Sequence, residues 1–392
     1  MLNLTDYAGL LERLQSRNLA VHAKRCVVVR NRNATCRRCA EVCASGCISL
    51  DGNDLLVDTS KCIGCGTCAT VCPSGAIVAR GPDDRALAEE ALATLRAAGD
   101  EVVFACAPLA EAADGLFDPD RVVQVACLGR VEESLVAVLS AAGARRVRLV
   151  SLDCAACPHR AAAVAVRSVR DSCAVLFAAW GRETKVELSR KFPASCRLKG
   201  AAAYDSKRRE FFLALRDEAV DTAHEVVDYG VDEFFDPGGR KTPRFDHVTP
   251  DGTLPHHAPS RRRVLLEALD AWGEPEDVMV GTRLWGHAVI DEQACSSCTM
   301  CAVFCPTAAL SKFQDGESRG LAHAPGLCSK CRCCEDICPA HAIHISDEVF
   351  ARDILDGVVE RHPLQDRSDE KGGPDAIRNS MKKQIRTAYL YG

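Results

Sequence analysis

One cysteine run, repeated with identical spacing near the C-terminus, limits this chain more than any other feature. Cys295-x2-Cys298-x2-Cys301-x3-Cys305-Pro306 is followed by Cys328-x2-Cys331-x2-Cys334-x3-Cys338-Pro339. Three thiols at three-residue steps face a common centre when the chain wraps that centre as a loop. The proline then stops the short helix that carries the fourth thiol away. The chain has 24 cysteines in 392 residues, and it is far too long to need disulfides in place of a core. Its first residues read as a short amphipathic helix with acidic side chains and no apolar h-region, so no signal peptide is expected. No apolar run reaches the roughly 18 residues of a membrane span. The expectation is a cytoplasmic chain whose reduced thiols bind metal. A net charge of −5 and 5% aromatic residues argue against a nucleic-acid or anionic-membrane surface.

The doubled run resembles that of bacterial two-cluster ferredoxins, where three close thiolates and a fourth from the other run hold each [4Fe–4S] cubane. The resemblance implies the sets Cys295, Cys298, Cys301 with Cys338, and Cys328, Cys331, Cys334 with Cys305. Four-cysteine zinc sites are the alternative, but they do not demand crossed spacing. Cys333 falls outside the register and reads as a packed thiol. A third run, Cys62-x2-Cys65-x2-Cys68-x3-Cys72-Pro73, follows Val57-Asp58 at the distance at which Cys295 follows Ile290-Asp291. Its partner is degenerate: Asn33-x2-Cys36-x2-Cys39-x3-Cys43-Ala-Ser-Gly-Cys47, with Asn33 in place of the first cysteine. On the same resemblance Cys43 completes Cys62, Cys65 and Cys68. Cys36, Cys39 and Cys72 then lack a fourth ligand. Either Cys26, at the start of a strand expected over 27–29, or Cys47 supplies it, and a strand returning past the cluster favours Cys26. A three-iron cluster with no fourth ligand is the remaining option, and an unused thiol would pack as a small hydrophobe.

The middle of the chain reads differently. Short β-branched runs at 101–106, 121–127 and 146–152 alternate with Ala-rich helical patterns at 131–143 and 160–180, which predicts a small parallel α/β sheet of flavodoxin or Rossmann-like type. Cys106, Cys127 and Cys154 fall at the C-terminal ends of strands, the edge where open α/β sheets bind ligands, and Cys157 is on the next loop. Four thiolates suit a [2Fe–2S] cluster, a fifth [4Fe–4S] cluster or zinc. Cys106, Val125-Ala-Cys127-Leu-Gly-Arg130 and Cys154-x2-Cys157-Pro-His together resemble the delta-type iron–sulfur subunit of methyl-viologen-reducing hydrogenases. That family passes electrons to flavin-containing heterodisulfide reductases. The resemblance implies a [2Fe–2S] cluster on Cys106, Cys127, Cys154 and Cys157, although the tight Cys154/Cys157 pair departs from the family's longer gap. It also implies a hydrogenase or formate dehydrogenase as donor and a heterodisulfide-reductase-like flavoprotein as acceptor. A rival reading makes Cys154/Cys157 a thioredoxin-like dithiol at a helix N-terminus that reduces a disulfide. Arg130 reads either as an offset to an anionic cluster or as a solvent-facing helix start, His159 as a polar residue at a helix start, and Cys173 and Cys196 as inert packed thiols.

The rest carries no motif. A helix is expected over 207–227 and a Pro/Gly-rich loop over 236–259 with solvated His247, His256 and His257. Ser260 is expected to cap a helix opening with Arg261, Arg262 and Arg263 as a charged face. Neither G-x-G-x-x-G nor a P-loop is present, and no catalytic residue is expected. The expected domains are a dicluster module (1–80), the delta-type α/β domain (98–198), a linker (199–280), a second dicluster module (281–346) and a docking tail (347–392). The whole is an α+β and α/β multidomain electron-transfer subunit of an anaerobe, with four [4Fe–4S] clusters and one [2Fe–2S] or further [4Fe–4S] cluster.

Overall fold

Two stretches of the chain, one near each end, are laid out alike. The computed structural model describes residues 18–113, 115–198, 249 and 252–364. The helices expected at the N-terminus and over 207–227, His247 with most of its loop, and the tail beyond 364 lie outside the described residues. In the first stretch β1 (Leu19–Val21) pairs antiparallel with β4 (Ile77–Ala79), and β2 (Ile48–Asp51) forms a hairpin with β3 (Asp54–Val57) between them. A cysteine loop lies on each side of the hairpin. The hairpin turn places Gly52 at φ 56°, which its missing Cβ permits.

The first stretch departs from this layout at residues 22–35, which carry Cys26. The valines expected as a strand form one buried helical turn instead, Val27–Arg30. That turn is packed on Met300 and Phe304 of the C-terminal stretch. Such burial outweighs the modest strand preference of valine. Arg30 anchors the turn by donating to the carbonyls of Phe304 (3.2 Å), Cys305 (3.3 Å) and Pro255 (2.8 Å).

The middle holds a parallel four-stranded sheet of β5 (Glu101–Cys106), β6 (Val123–Val125), β7 (Arg146–Val150) and β8 (Lys185–Ser189), in the order β6-β5-β7-β8. β5 is buried along its whole length, as a central strand covered on both faces must be. Helices Asp84–Ala98, Glu133–Ala141 and Ala162–Ala179 supply the covering residues, among them Leu87, Leu95, Leu135 and Val169. The fold is thus mixed α/β around a parallel sheet.

In the C-terminal stretch β9 (Met279–Gly281) precedes β10 (His287–Ile290), β11 (Leu310–Asp315), β12 (Ser318–His323) and β13 (Ile343–Ser346). β10 pairs with β13 outside the β11–β12 hairpin, the same plan as the first stretch. β14 (Glu348–Phe350) pairs with β9, and β15 (Glu360–Pro363) extends the hairpin beside β12.

Arginines join these parts, and three of them differ from the sequence reading. Helix Ser260–Trp272 begins after Pro259 without a side-chain cap, and it packs Leu265, Ala268 and Leu269 on Leu176 and Trp180 of the middle domain. This part of the expected linker is therefore a wall of the sheet domain. Arg261 grips Asp84 through two bonds of 2.7 Å, and Arg130, far from solvent, joins the same carboxylate at 2.6 Å. Arg262 donates to the carbonyls of Leu284, Gly326 and Cys328 and lies 4.7 Å over the Trp285 ring. Only Arg263 of the three is a surface residue. Arg283 ties all three parts, pairing with the buried Glu133 and donating to Thr70 O at 2.9 Å.

Replacing Asp84 with Ala leaves two guanidinium groups buried against each other, which costs about 3–5 kcal/mol. Arg263→Ala costs less than about 0.5 kcal/mol. Urea unfolding of the two variants, followed by circular dichroism, checks the difference.

Candidate iron–sulfur centres

The N-terminal cysteines line two neighbouring cavities. Cys43, Cys62, Cys65 and Cys68 line the first together with Cys47 and Leu19. Cys26, Cys36, Cys39 and Cys72 line the second with Leu55, Ala76 and Ile77. The residue beside Cys36, Cys39 and Cys72 is thus Cys26, delivered by the inserted turn, and Cys47 is in the other cavity with its Sγ 3.4 Å from that of Cys43. Asn33 is exposed.

The C-terminal cysteines fall into two further groups. Cys298, Cys295 and Cys338 act electrostatically on Cys301, while Cys305 and Cys328 act on both Cys331 and Cys334. Cys333, fully buried, sits beside Cys331, Cys305 and Arg30. In the middle domain Cys154 and Cys106 act electrostatically on Cys127, as does Cys65 of the N-terminal stretch. Cys157 is on the Cys154 loop, where its Sγ accepts from the His159 amide at 3.4 Å. The helix begins only at Ala162, so the Cys154/Cys157 pair does not stand at a helix N-terminus as the dithiol reading requires. Cys173 and Cys196 are in the sheet-domain core.

Backbone geometry repeats around these groups. After Cys62, Cys295 and Cys328, the second and fourth residues onward have positive φ: Gly64 and Gly66, Ser297 and Thr299, Lys330 and Arg332. After Cys43, Cys72, Cys305 and Cys338, the third residue does so: Gly46, Gly75, Ala308 and His341. Non-glycine residues in this region carry a strain of about 1–2 kcal/mol each. The strained backbone turns amide groups inward. Ala76 N donates to Cys72 Sγ (3.2 Å), Ala342 N to Cys338 Sγ (3.3 Å) and Leu310 N to Cys305 Sγ (3.5 Å). Gly129 N donates to Cys127 Sγ at 3.5 Å. Cys47 occupies the position of Ala76 and Ala342 in this pattern. The glycines in the N-terminal loops hinted at the pattern; Ser297, Thr299, Lys330 and Arg332 gave no such signal in the sequence.

Electrostatics decides what these groups accept. Burial, then repulsion from neighbouring thiolates, pushes Cys39, Cys127 and Cys331 up to about 12. Cys68, Cys301 and Cys334 are raised further by the same causes. Cys43 is the exception. Burial acts against its thiolate, but hydrogen bonds from Ser45, Cys47 and the Ile48 amide outweigh it and lower the pKa, while Cys47 is pushed up to about 12. Four crowded, dehydrated thiols ionise together only around a compact positive core, and inward-facing amides then stabilise their sulfurs. That donor set fits an iron–sulfur cluster.

The groups also stand next to one another. Cys65 acts electrostatically on Cys127, Cys39 on Cys68, Cys36 on Cys331 and Cys301 on Cys334. At the first junction Arg130 packs so closely on Gly66 that a Cβ there would meet its Cδ at 2.4 Å. Arg130 is buried and bound to Asp84, so it neither faces solvent nor stands as a free cation. His256 is exposed as expected, yet its Nδ1 hydrogen-bonds Cys305 O at 3.0 Å, while the half-buried His257 donates its backbone N to Pro306 O at 2.7 Å.

The 4Fe-4S binding domain family matches residues 55–78, which span the complete run from Cys62 to Cys72. No curated protein and no solved structure matches the chain. Among the described residues, no helix is long and apolar enough to cross a membrane. The matched domain and the cysteine content together make this an iron–sulfur electron-transfer protein with a ferredoxin-type domain that binds at least one [4Fe–4S] cluster.

Cys47→Ala is expected to keep its full iron, whereas the double variant Cys43→Ala, Cys47→Ala loses about four iron per chain. Iron and acid-labile sulfide analysis after anaerobic purification checks this. Loss of iron in Cys47→Ala alone would reverse the ligand assignment.

Proposed function

We propose that the chain is a multi-cluster electron relay in which five cysteine groups stand in single file. The order runs from Cys106, Cys127, Cys154 and Cys157 to Cys43, Cys62, Cys65 and Cys68, then to Cys26, Cys36, Cys39 and Cys72. It continues through Cys305, Cys328, Cys331 and Cys334 and ends at Cys295, Cys298, Cys301 and Cys338. The observation that carries this reading is that a thiol of each group lies within electrostatic reach of one in the next: Cys127 and Cys65, Cys68 and Cys39, Cys36 and Cys331, Cys334 and Cys301. Both ends of the chain then act as dicluster modules, and the group at the sheet edge holds a [2Fe–2S] cluster.

When bound, each cluster takes up and releases one electron. The protein's own part is positional. Its hairpins and strained loops hold neighbouring groups at fixed separation, burial keeps water from the sulfurs, and amides of Ala76, Leu310, Ala342 and Gly129 stabilise negative charge on them. The single file supplies two terminal sites, one for a donor and one for an acceptor. The resemblance of the middle domain supports a flavin-containing heterodisulfide-reductase-like protein at one end and a hydrogenase- or formate-dehydrogenase-type donor at the other, in an anaerobic cytoplasm.

Four [4Fe–4S] clusters and one [2Fe–2S] predict about 18 iron and about 18 sulfide per chain. Cys106→Ala should lose about two iron. In EPR of the dithionite-reduced protein it should also abolish the magnetic coupling felt by the Cys65 group while sparing the C-terminal signals. About 20 iron would make the middle cluster a cubane, and zinc in place of iron would sink the relay altogether.

A further inference from the structure

A second metal chemistry is written into the C-terminal stretch, away from the thiols. His323 ends β12 and stands opposite Glu360 in the antiparallel β12–β15 register. Its side chain has no solvent exposure, and neither ring nitrogen has a hydrogen-bond partner. Nδ1 is 3.8 Å from Glu360 Oε2. From the other sheet, His287 on β10 reaches the same Oε2 with its Nε2 at 2.6 Å, and its ring crosses that of His323 at a centroid distance of 5.5 Å. One nitrogen from each histidine and one oxygen of Glu360 lie within 4.8 Å of one another. His362, two residues beyond Glu360 and so on the same face of β15, brings a second buried, unpartnered Nε2 to 3.9 Å from that oxygen.

A buried imidazole with no partner for either nitrogen is an expensive way to fill a core. Hydrogen bonding within the group does not remove the problem, because the carboxylate oxygen already engaged by His287 is also the one that His323 and His362 approach. A divalent cation does remove it. Neutral imidazoles and one carboxylate, with no sulfur, are the donor set of a first-row divalent transition metal such as Zn2+. The geometry points to a divalent metal site formed by His287, His323 and Glu360, with His362 as the fourth ligand. The site joins β10, which leads to Cys295, to β12, which leads to Cys328. It therefore staples the two sheets at the base of both C-terminal cysteine loops.

The test uses the full chain, purified anaerobically with its iron and sulfide measured, then exposed to Zn2+ and dialysed against metal-free buffer. The expected result is about one zinc per chain beyond the iron, with a zinc X-ray absorption first shell of nitrogen and oxygen at about 2.0–2.1 Å. The half-exposed ligands give the usable variants: His287→Ala and Glu360→Gln should each bind zinc at least tenfold more weakly with iron and sulfide unchanged. No retained zinc, zinc binding in both variants as tight as in the unmodified protein, or a sulfur shell at about 2.3 Å would overturn the site. Iron and sulfide are read separately from zinc, so failure of this site leaves the relay untouched, and the reverse also holds.

Discussion

The structure depends on one electrostatic constraint: thiols gathered in water-poor pockets cannot all ionise without a positive core among them. Cys39, Cys127 and Cys331 show the constraint directly, since burial and neighbouring thiolates hold their protons on. Around such groups the loops have little choice of path. They place Ser297, Thr299, Lys330, Arg332, Ala308 and His341 in the left-handed region, at about 1–2 kcal/mol each, because that path turns amides toward sulfur. Backbone held in this way is what a bound group at the loop centre would over-determine.

The second constraint is alignment. Adjacent cysteine groups keep one spacing only if the parts that carry them cannot slide, and buried charge pairs fix that registry here. Asp84 is shared by Arg130 from the middle domain and Arg261 from the helix that walls it. Arg283 links Glu133 of the middle domain to the backbone of Thr70 beside Cys72. Gly129 allows Thr67 to approach so closely that a Cβ would meet its Oγ1 at 2.2 Å, and this brings the Cys65 loop against the Cys127 turn. None of these contacts adds much net stability over an apolar equivalent. Their effect is to hold the groups in one relative position.

Spacing carried far in the sequence, and local propensity carried less. The cysteine runs were legible because ligand geometry leaves few alternative spacings, and the sheet domain because buried parallel strands are continuous apolar runs. The reading of 27–29 as a strand failed because the tertiary setting, a turn wedged against Phe304 and Met300, overrides a three-residue preference. Arg261 and Arg262 were read as a charged surface face, and Arg130 was left between a cluster offset and a solvent-facing helix start, because their partners lie far along the chain and nothing in a local window reveals a carboxylate or carbonyl that distant. The group formed by His287, His323 and Glu360 was missed for the same reason: it is assembled across three strands and has no sequence spacing of its own.

The missing first cysteine of the N-terminal run illustrates how ligand supply and assembly trade against each other. With Asn33 in that position, the loop from Asn33 to Cys39 need not wrap a centre, and Arg37 has a φ of −127° where Gly66, Thr299 and Arg332 are left-handed. The relaxed loop is free to serve another surface. Thr35 donates to Asp336 through its amide (2.7 Å) and hydroxyl (3.0 Å), and Arg38 donates to Lys330 O at 2.9 Å. The loop that lacks the first cysteine thus joins the Val27–Arg30 turn in docking the C-terminal stretch. The fourth thiol lining the cavity of Cys36, Cys39 and Cys72 is Cys26, next to the inserted turn, whose own Arg30 grips the backbone at Cys305. With Cys26 rather than a cysteine at position 33, the same segment both lines the Cys36 cavity and brings Cys36 within electrostatic reach of Cys331.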